Sequence, residues 1–96
     1  MNRLKLCVTY HAIPGMAKAF TDEAGRLLPQ IRREKGCRQY DYFFSAEDPD
    51  LVLLVEEWDS EEDQQRHLAQ PHMNDLRTVK ERFIRQTTVQ KFIPLD

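Results

Sequence analysis

The amino-acid sequence predicts an α+β domain in the order β-α-β-β-α-β, a four-stranded antiparallel sheet with its helices on one face. Three observations carry this. Leu4, Leu6, Val8 and Tyr10 alternate with Lys5, Cys7, Thr9 and His11, the period of a strand with one apolar face. Met16, Phe20, Ala24, Leu27 and Ile31 fall at the spacing of one helical face. The short, polar Ala46-Glu47-Asp48-Pro49-Asp50 segment joins two apolar runs, which makes them an antiparallel hairpin. A chain of 96 residues is one domain, residues 1–96, near the lower size at which a core holds without staples.

The first strand ends where Pro14-Gly15 turns the chain. The helix that follows runs from Met16 to about Arg33, and Pro29 within it should kink it or end its regular part early. Gly36 is a plausible left-handed cap. The second strand spans about Cys37 to Ser45, with Tyr40, Tyr42 and Phe44 on one side and Gln39, Asp41 and Phe43 on the other. Leu51 to Trp58, nearly continuous in apolar residues, reads as a central strand buried on both faces. Ser60 is a good N-cap, with Asp63 three residues on as a weak capping box. Gln70-Pro71 ends that short helix, and Pro71 can serve as the first residue of the next. Leu76, Val79 and Phe83 then form an apolar stripe, and Thr87, Val89, Lys91 and Phe92 belong to the last strand.

In this ferredoxin-like arrangement both helical regions cover the same face of the sheet. The other face stays bare. Apolar side chains of the first and third strands make it adhesive, so a homodimer joined through the sheet faces is expected. A net charge of -2 with scattered basic residues gives no electrostatic case for nucleic acid or an anionic membrane. No apolar run approaches the ~20 residues of a membrane span. The opening MNRLKLCVTYHAIPG lacks an apolar stretch with a small-residue cleavage site, so a cytoplasmic protein is expected. Cys7 and Cys37, with no CxxC, read as reduced, half-buried strand residues.

Several segments resemble a known family. Gly36-Cys37-Arg38-Gln39-Tyr40-Asp41 is similar to the segment opening the second strand in antibiotic-biosynthesis-monooxygenase (ABM) domains. Asp48-Pro49 resembles their hairpin turn, and Glu56-Glu57-Trp58-Asp59-Ser60 the end of their third strand. His67-Leu68-Ala69-Gln70-Pro71-His72 resembles their H-x-x-x-x-H segment, and Pro14-Gly15 and Phe20 fit as well. The resemblance covers essentially the whole chain. It implies a dimeric α/β barrel with a pocket in each subunit between sheet and helices. It also implies oxidation of a small aromatic or quinol substrate by dioxygen, with neither metal nor flavin. Other branches of that fold degrade haem or process a small phosphorylated signal molecule, and a non-catalytic ligand-binding module is a further alternative. The haem branch relies on an Asn, a Trp and a His where this chain aligns Val8, His67 and Arg77, so haem degradation is not expected.

Six residues are candidates for the site. Glu56 and Trp58, two apart on one strand, share a face that looks either into the helix-covered pocket or into the dimer seam. In the pocket, Glu56 is a base or acceptor whose pKa burial raises; at the seam it is a structural carboxylate. His67 shares a helical face with Gln64 and Leu68, and the resemblance puts that face in the pocket. His72 begins the next helix, whose positive end favours a neutral imidazole. Such a ring either exchanges a proton with substrate or only secures the helix break. His67, His72 and Glu56 are thus the candidate catalytic groups, and Trp58, Tyr40 and Gln64 the candidate substrate contacts. Two histidines five apart across a proline, without a third ligand, do not suggest a metal, and a phenol or quinol that supplies its own electrons needs no cofactor.

Overall fold

A computed structural model describes residues 2–95. Eight elements follow in order: β1 (Leu4–Ala12), α1 (Ala17–Gly25), α2 (Leu28–Arg32), β2 (Cys37–Phe44), β3 (Leu51–Trp58), α3 (Glu61–Leu68), α4 (Met73–Phe83) and β4 (Ile84–Phe92). The sheet order is β2-β3-β1-β4, antiparallel throughout. This is the β-α-β-β-α-β order with each helical region divided in two.

The first division lies ahead of Pro29. A proline ring clashes with the carbonyl four residues before it, which here belongs to Gly25, the last residue of α1. Pro29 itself sits in the first turn of α2, where a missing N–H costs nothing. Two helices therefore replace the single kinked helix that periodicity alone suggests. The second division contains Pro71, which lies in the turn before α4 rather than at its first position, and His72 is the N-cap.

Alternation along the strands places the core. Leu4, Leu6, Val8, Tyr10 and Ala12 of β1, Tyr40 of β2, and Val52, Leu54 and Trp58 of β3 are buried beneath the helices. Phe20, Ala24, Ile31, Leu76 and Val79 meet them from above. On the uncovered face Leu51, Leu53 and Val55 are half-buried in the single chain, so the expected burial of β3 on both faces is not met by one copy. The apolar character of that face comes from β3 and Phe43. The outward side chains of β1 are Lys5, Cys7, Thr9 and His11, because its apolar set is spent on the core. Cys7 and Cys37 are free thiols. Strand β4 pairs only with β1 and is exposed along nearly its whole length. Among the described residues no helix is long and apolar enough to cross a membrane.

One glycine sets the site's geometry. Gly36 adopts φ of +81°, a left-handed conformation that L side chains rarely accept. A Cβ there would lie 2.7 Å from Asp63 Cβ. The Asp59 N–H donates to the Gly36 carbonyl at 2.8 Å. The turn after α2 is thereby pressed against the first turn of α3. Ser60 caps α3 by accepting from the Asp63 N–H at 3.2 Å, while the Asp63 carboxylate turns to Arg66 instead of closing the capping box. The buried face of α3 is Asp63, Gln64 and His67. Leu68 lines the same cavity as Gln64 and His67, as expected, while staying 39% exposed.

Candidate functional site

Between the sheet and helices α3 and α4 lies a cavity of about 220 Å³, and Tyr40, Glu56, Gln64 and His67 all line it. Leu6, Val8 and Leu76 supply apolar wall. Glu56 stands opposite Leu6 on β1 and Tyr40 on β2, so it rises from the middle of the cavity floor. It faces the helices, not the uncovered side of the sheet, and so does Trp58.

Trp58 is completely buried and donates from Nε1 to Glu56 Oε1 at 3.0 Å. Side chains two apart on a strand point the same way, and that parity makes the bond possible. Burial pushes the Glu56 carboxyl above its usual range, with the Trp58 N–H and the Lys80 cation opposing. The neutral acid is favoured by desolvation, which is the largest influence here.

The His67 ring lies 4.6 Å from the Trp58 ring, centre to centre, with Tyr40 set edge-on at 5.5 Å. Its Nδ1 is 3.0 and 3.1 Å from the two carboxylate oxygens of Glu34. His72 reaches the same carboxylate through Nε2, at 2.7 Å. An ionised carboxylate only accepts, so the His67 proton belongs on Nδ1. In the neutral ring Nε2 is then a free lone pair. Burial lowers the His67 pKa, assisted by His72 and Lys80, while Glu34 pulls the other way. The His67 ring also borders an outer cleft, shared with Glu34, Lys35 and Asp63.

The six candidates are therefore not equivalent in place. Tyr40, Glu56, Gln64 and His67 converge on one cavity. Trp58 stands behind two of them, bonded to Glu56 and stacked on His67. His72 contacts Glu34 instead of the cavity. Among the described residues no group of three or more His, Cys, Asp or Glu is placed to hold a metal ion. The two histidines share a hydrogen-bonding carboxylate instead. A wider surface groove, about 680 Å³ and bordered by Arg3, Ser60, Gln65 and Ile93, contains none of the candidates.

Residues 4–79 match the sequence profile of the antibiotic biosynthesis monooxygenase family. The chain belongs to that family. Over 64 residues it is 28% identical to the Escherichia coli K12 protein named "Probable quinol monooxygenase YgiN", a match covering 58% of this chain and 62% of that protein. The match thus spans less than two thirds of the relative's length. Among solved structures, the Pseudomonas aeruginosa protein PA3566 is similar with a TM-score of 0.90 and 27% identity, over 100% of this chain and 97% of that one. Rv0793 of Mycobacterium tuberculosis shares the fold, with a TM-score of 0.87 and 24% identity over 98% and 96% of the two chains.

Two residues of this ABM domain's site escape sequence reading. Glu34 lies in the run Arg32-Arg33-Glu34-Lys35, which looks like a solvated helix end, yet its side chain is only 10% exposed. Lys80 lines the cavity from α4. Its position did carry a signal: it is four residues after Leu76 and seven after Met73, on the buried face of an otherwise apolar stripe.

Proposed function

We propose that this ABM domain is a monooxygenase that oxidises a small hydroxyaromatic or quinol with dioxygen, drawing the electrons from the substrate and using neither metal nor flavin. The observation that carries the reading is the His67 ring, which lines the cavity while Glu34 holds its Nδ1, leaving Nε2 free to accept a proton. The family match and the quinol monooxygenase relative support it. Neutral His67 takes the phenolic proton at Nε2, and Glu34 offsets the charge that develops on the ring. The electron-rich ring carbon then forms a C–O bond to dioxygen. Cleavage of the O–O bond, with loss of the carbon's hydrogen, leaves a quinone carbonyl, and the second oxygen atom departs as water. Phenol plus dioxygen thus gives quinone plus water. Trp58 backs the base and Tyr40 packs against it. Glu56 in its neutral form offers the cavity a hydrogen-bond donor, and Gln64 adds an amide to the wall.

Chelator-treated, flavin-free protein should consume dioxygen with some members of a panel of quinols and hydroxyaromatics. With isotopically labelled dioxygen, one labelled atom should enter the product and one should appear in water. Activity that disappears on chelation, activity that requires flavin, or an unreactive panel would each refute the proposal.

The same reading includes a homodimer joined through the sheets. Leu51, Leu53, Val55 and Phe43 make an uncovered apolar patch on the face away from the helices, and a second copy laid on it would complete the burial of β3. Sedimentation at micromolar concentration should give twice the 11.4 kDa chain mass; a stable monomer would refute this part.

A further inference from the structure

We infer that Lys80 forms an anion subsite in the cavity, so that the substrate is a hydroxyaromatic carrying an acidic group, a carboxylate above all. The inference rests on the monooxygenase reading for the hydroxyl and adds the second substituent.

The argument begins with charge. Of the residues lining the cavity, Glu56 is the one carboxylate, while Lys80 and Lys91 are cations. Glu56 is engaged by the Trp58 N–H and favoured as the neutral acid. Lys91 has a partner, Glu61, 3.6 Å away, both well exposed, a pair that contributes little. Lys80 makes no ion pair or hydrogen bond among the described residues, and it is half-buried at the cavity wall. Burial and the nearby Arg77 disfavour the Lys80 ammonium, and the charge that opposes them is that of Glu56, itself favoured as the neutral acid. A ligand carboxylate entering the cavity would supply a counter-ion at this half-buried wall.

Position agrees with charge. Lys80 lies on the cavity side of α4 with Met73 and Leu76. At the helical rise it stands about 10 Å along the axis from Met73. His67 projects from α3, which ends just before α4 begins. Base and cation thus belong to different helices, and Leu6, Val8 and Leu76 supply apolar wall in the same cavity.

Binding is measured without dioxygen, so no turnover is needed. 4-Hydroxybenzoate and its neutral isostere 4-hydroxybenzamide are titrated calorimetrically into the wild type, Lys80→Met and Lys80→Arg under nitrogen. The wild type should prefer the carboxylate by about ten-fold or more, the scale of a charged hydrogen bond. Lys80→Met should erase the preference while still binding the amide, and Lys80→Arg should retain it. Equal affinities in the wild type, a preference that survives in Lys80→Met, or no binding of either probe at millimolar concentration would overturn the subsite. A preference that holds in a protein with no oxygen uptake would leave the subsite standing and remove the monooxygenase.

Discussion

Replacing His67 with alanine should lower turnover of a responsive hydroxyaromatic by roughly 10²–10⁴-fold, the usual range for a lost general acid or base. The ring is 1% exposed and stacked on Trp58, so alanine also leaves a void beside the indole. His67→Gln separates the two effects, because it keeps polar bulk but has no imidazole. It should remain folded by circular dichroism and lose activity to a similar degree. His72→Ala should affect rate less and thermal stability more, since that ring contacts Glu34 rather than the cavity. The pH dependence has a definite sign. The active ring is neutral and its pKa is lowered, so the acid limb of kcat/KM should fall below the ordinary imidazole range. Glu34, His72 and Lys80 all bear on that limb. A folded His67→Gln variant with normal turnover would return the ring to a structural role and move the base to Glu56.

Trp58→Ala should be the most damaging change to stability. Deleting a fully buried indole costs about 3–5 kcal/mol, against a total of roughly 5–15 kcal/mol for a protein. The midpoint of unfolding should fall by a correspondingly large fraction. Trp58→Phe keeps most of the ring and removes the N–H, leaving Glu56 without its donor. Its loss should depend on pH. The folded-state pKa of Glu56 is raised, so the folded protein prefers the acid, and ionisation costs stability as pH rises from the carboxylate range through the raised value. Without the N–H that helps the anion, this cost grows. Trp58→Phe should therefore be more destabilised at alkaline pH than at acid pH, relative to wild type. Because Trp58 is the only tryptophan, urea unfolding should be followed by circular dichroism. An unchanged midpoint for Trp58→Ala would contradict the full burial of the indole.

Element order was legible because each element carries its own period. The β1 alternation and the Leu76-Val79-Phe83 stripe need no tertiary information, and Gly36 announced a left-handed turn that the backbone adopts. Parity also linked Glu56 to Trp58. Which side of the sheet they occupy was not legible, since that depends on where the helices dock. The relation of Glu34 to His67 was hidden for a different reason. It joins residues 33 apart, and nothing local in a run of charges marks one member as buried. The α3 face was legible in Gln64, His67 and Leu68, which all line the cavity, but not in Asp63, which is buried beside them. There the tight approach of Gly36 to Asp63 outweighed hydropathy. The exposure of β4 was equally invisible, because a strand's composition does not say how far its neighbours extend over it.

The placement of the His67 ring between the inner cavity and the outer cleft makes it a septum as well as a reagent. On one side lies the cavity with Leu6, Val8 and Leu76 in its wall, on the other a cleft lined by Glu34, Lys35, Asp63 and Arg66. A smaller acid or base at this position, such as serine, cysteine or aspartate, could carry a proton but would join the cavity to the cleft. Water in the cavity would weaken the electrostatics on which the proton transfer relies. Change of chemistry at position 67 is consequently confined to side chains of comparable bulk.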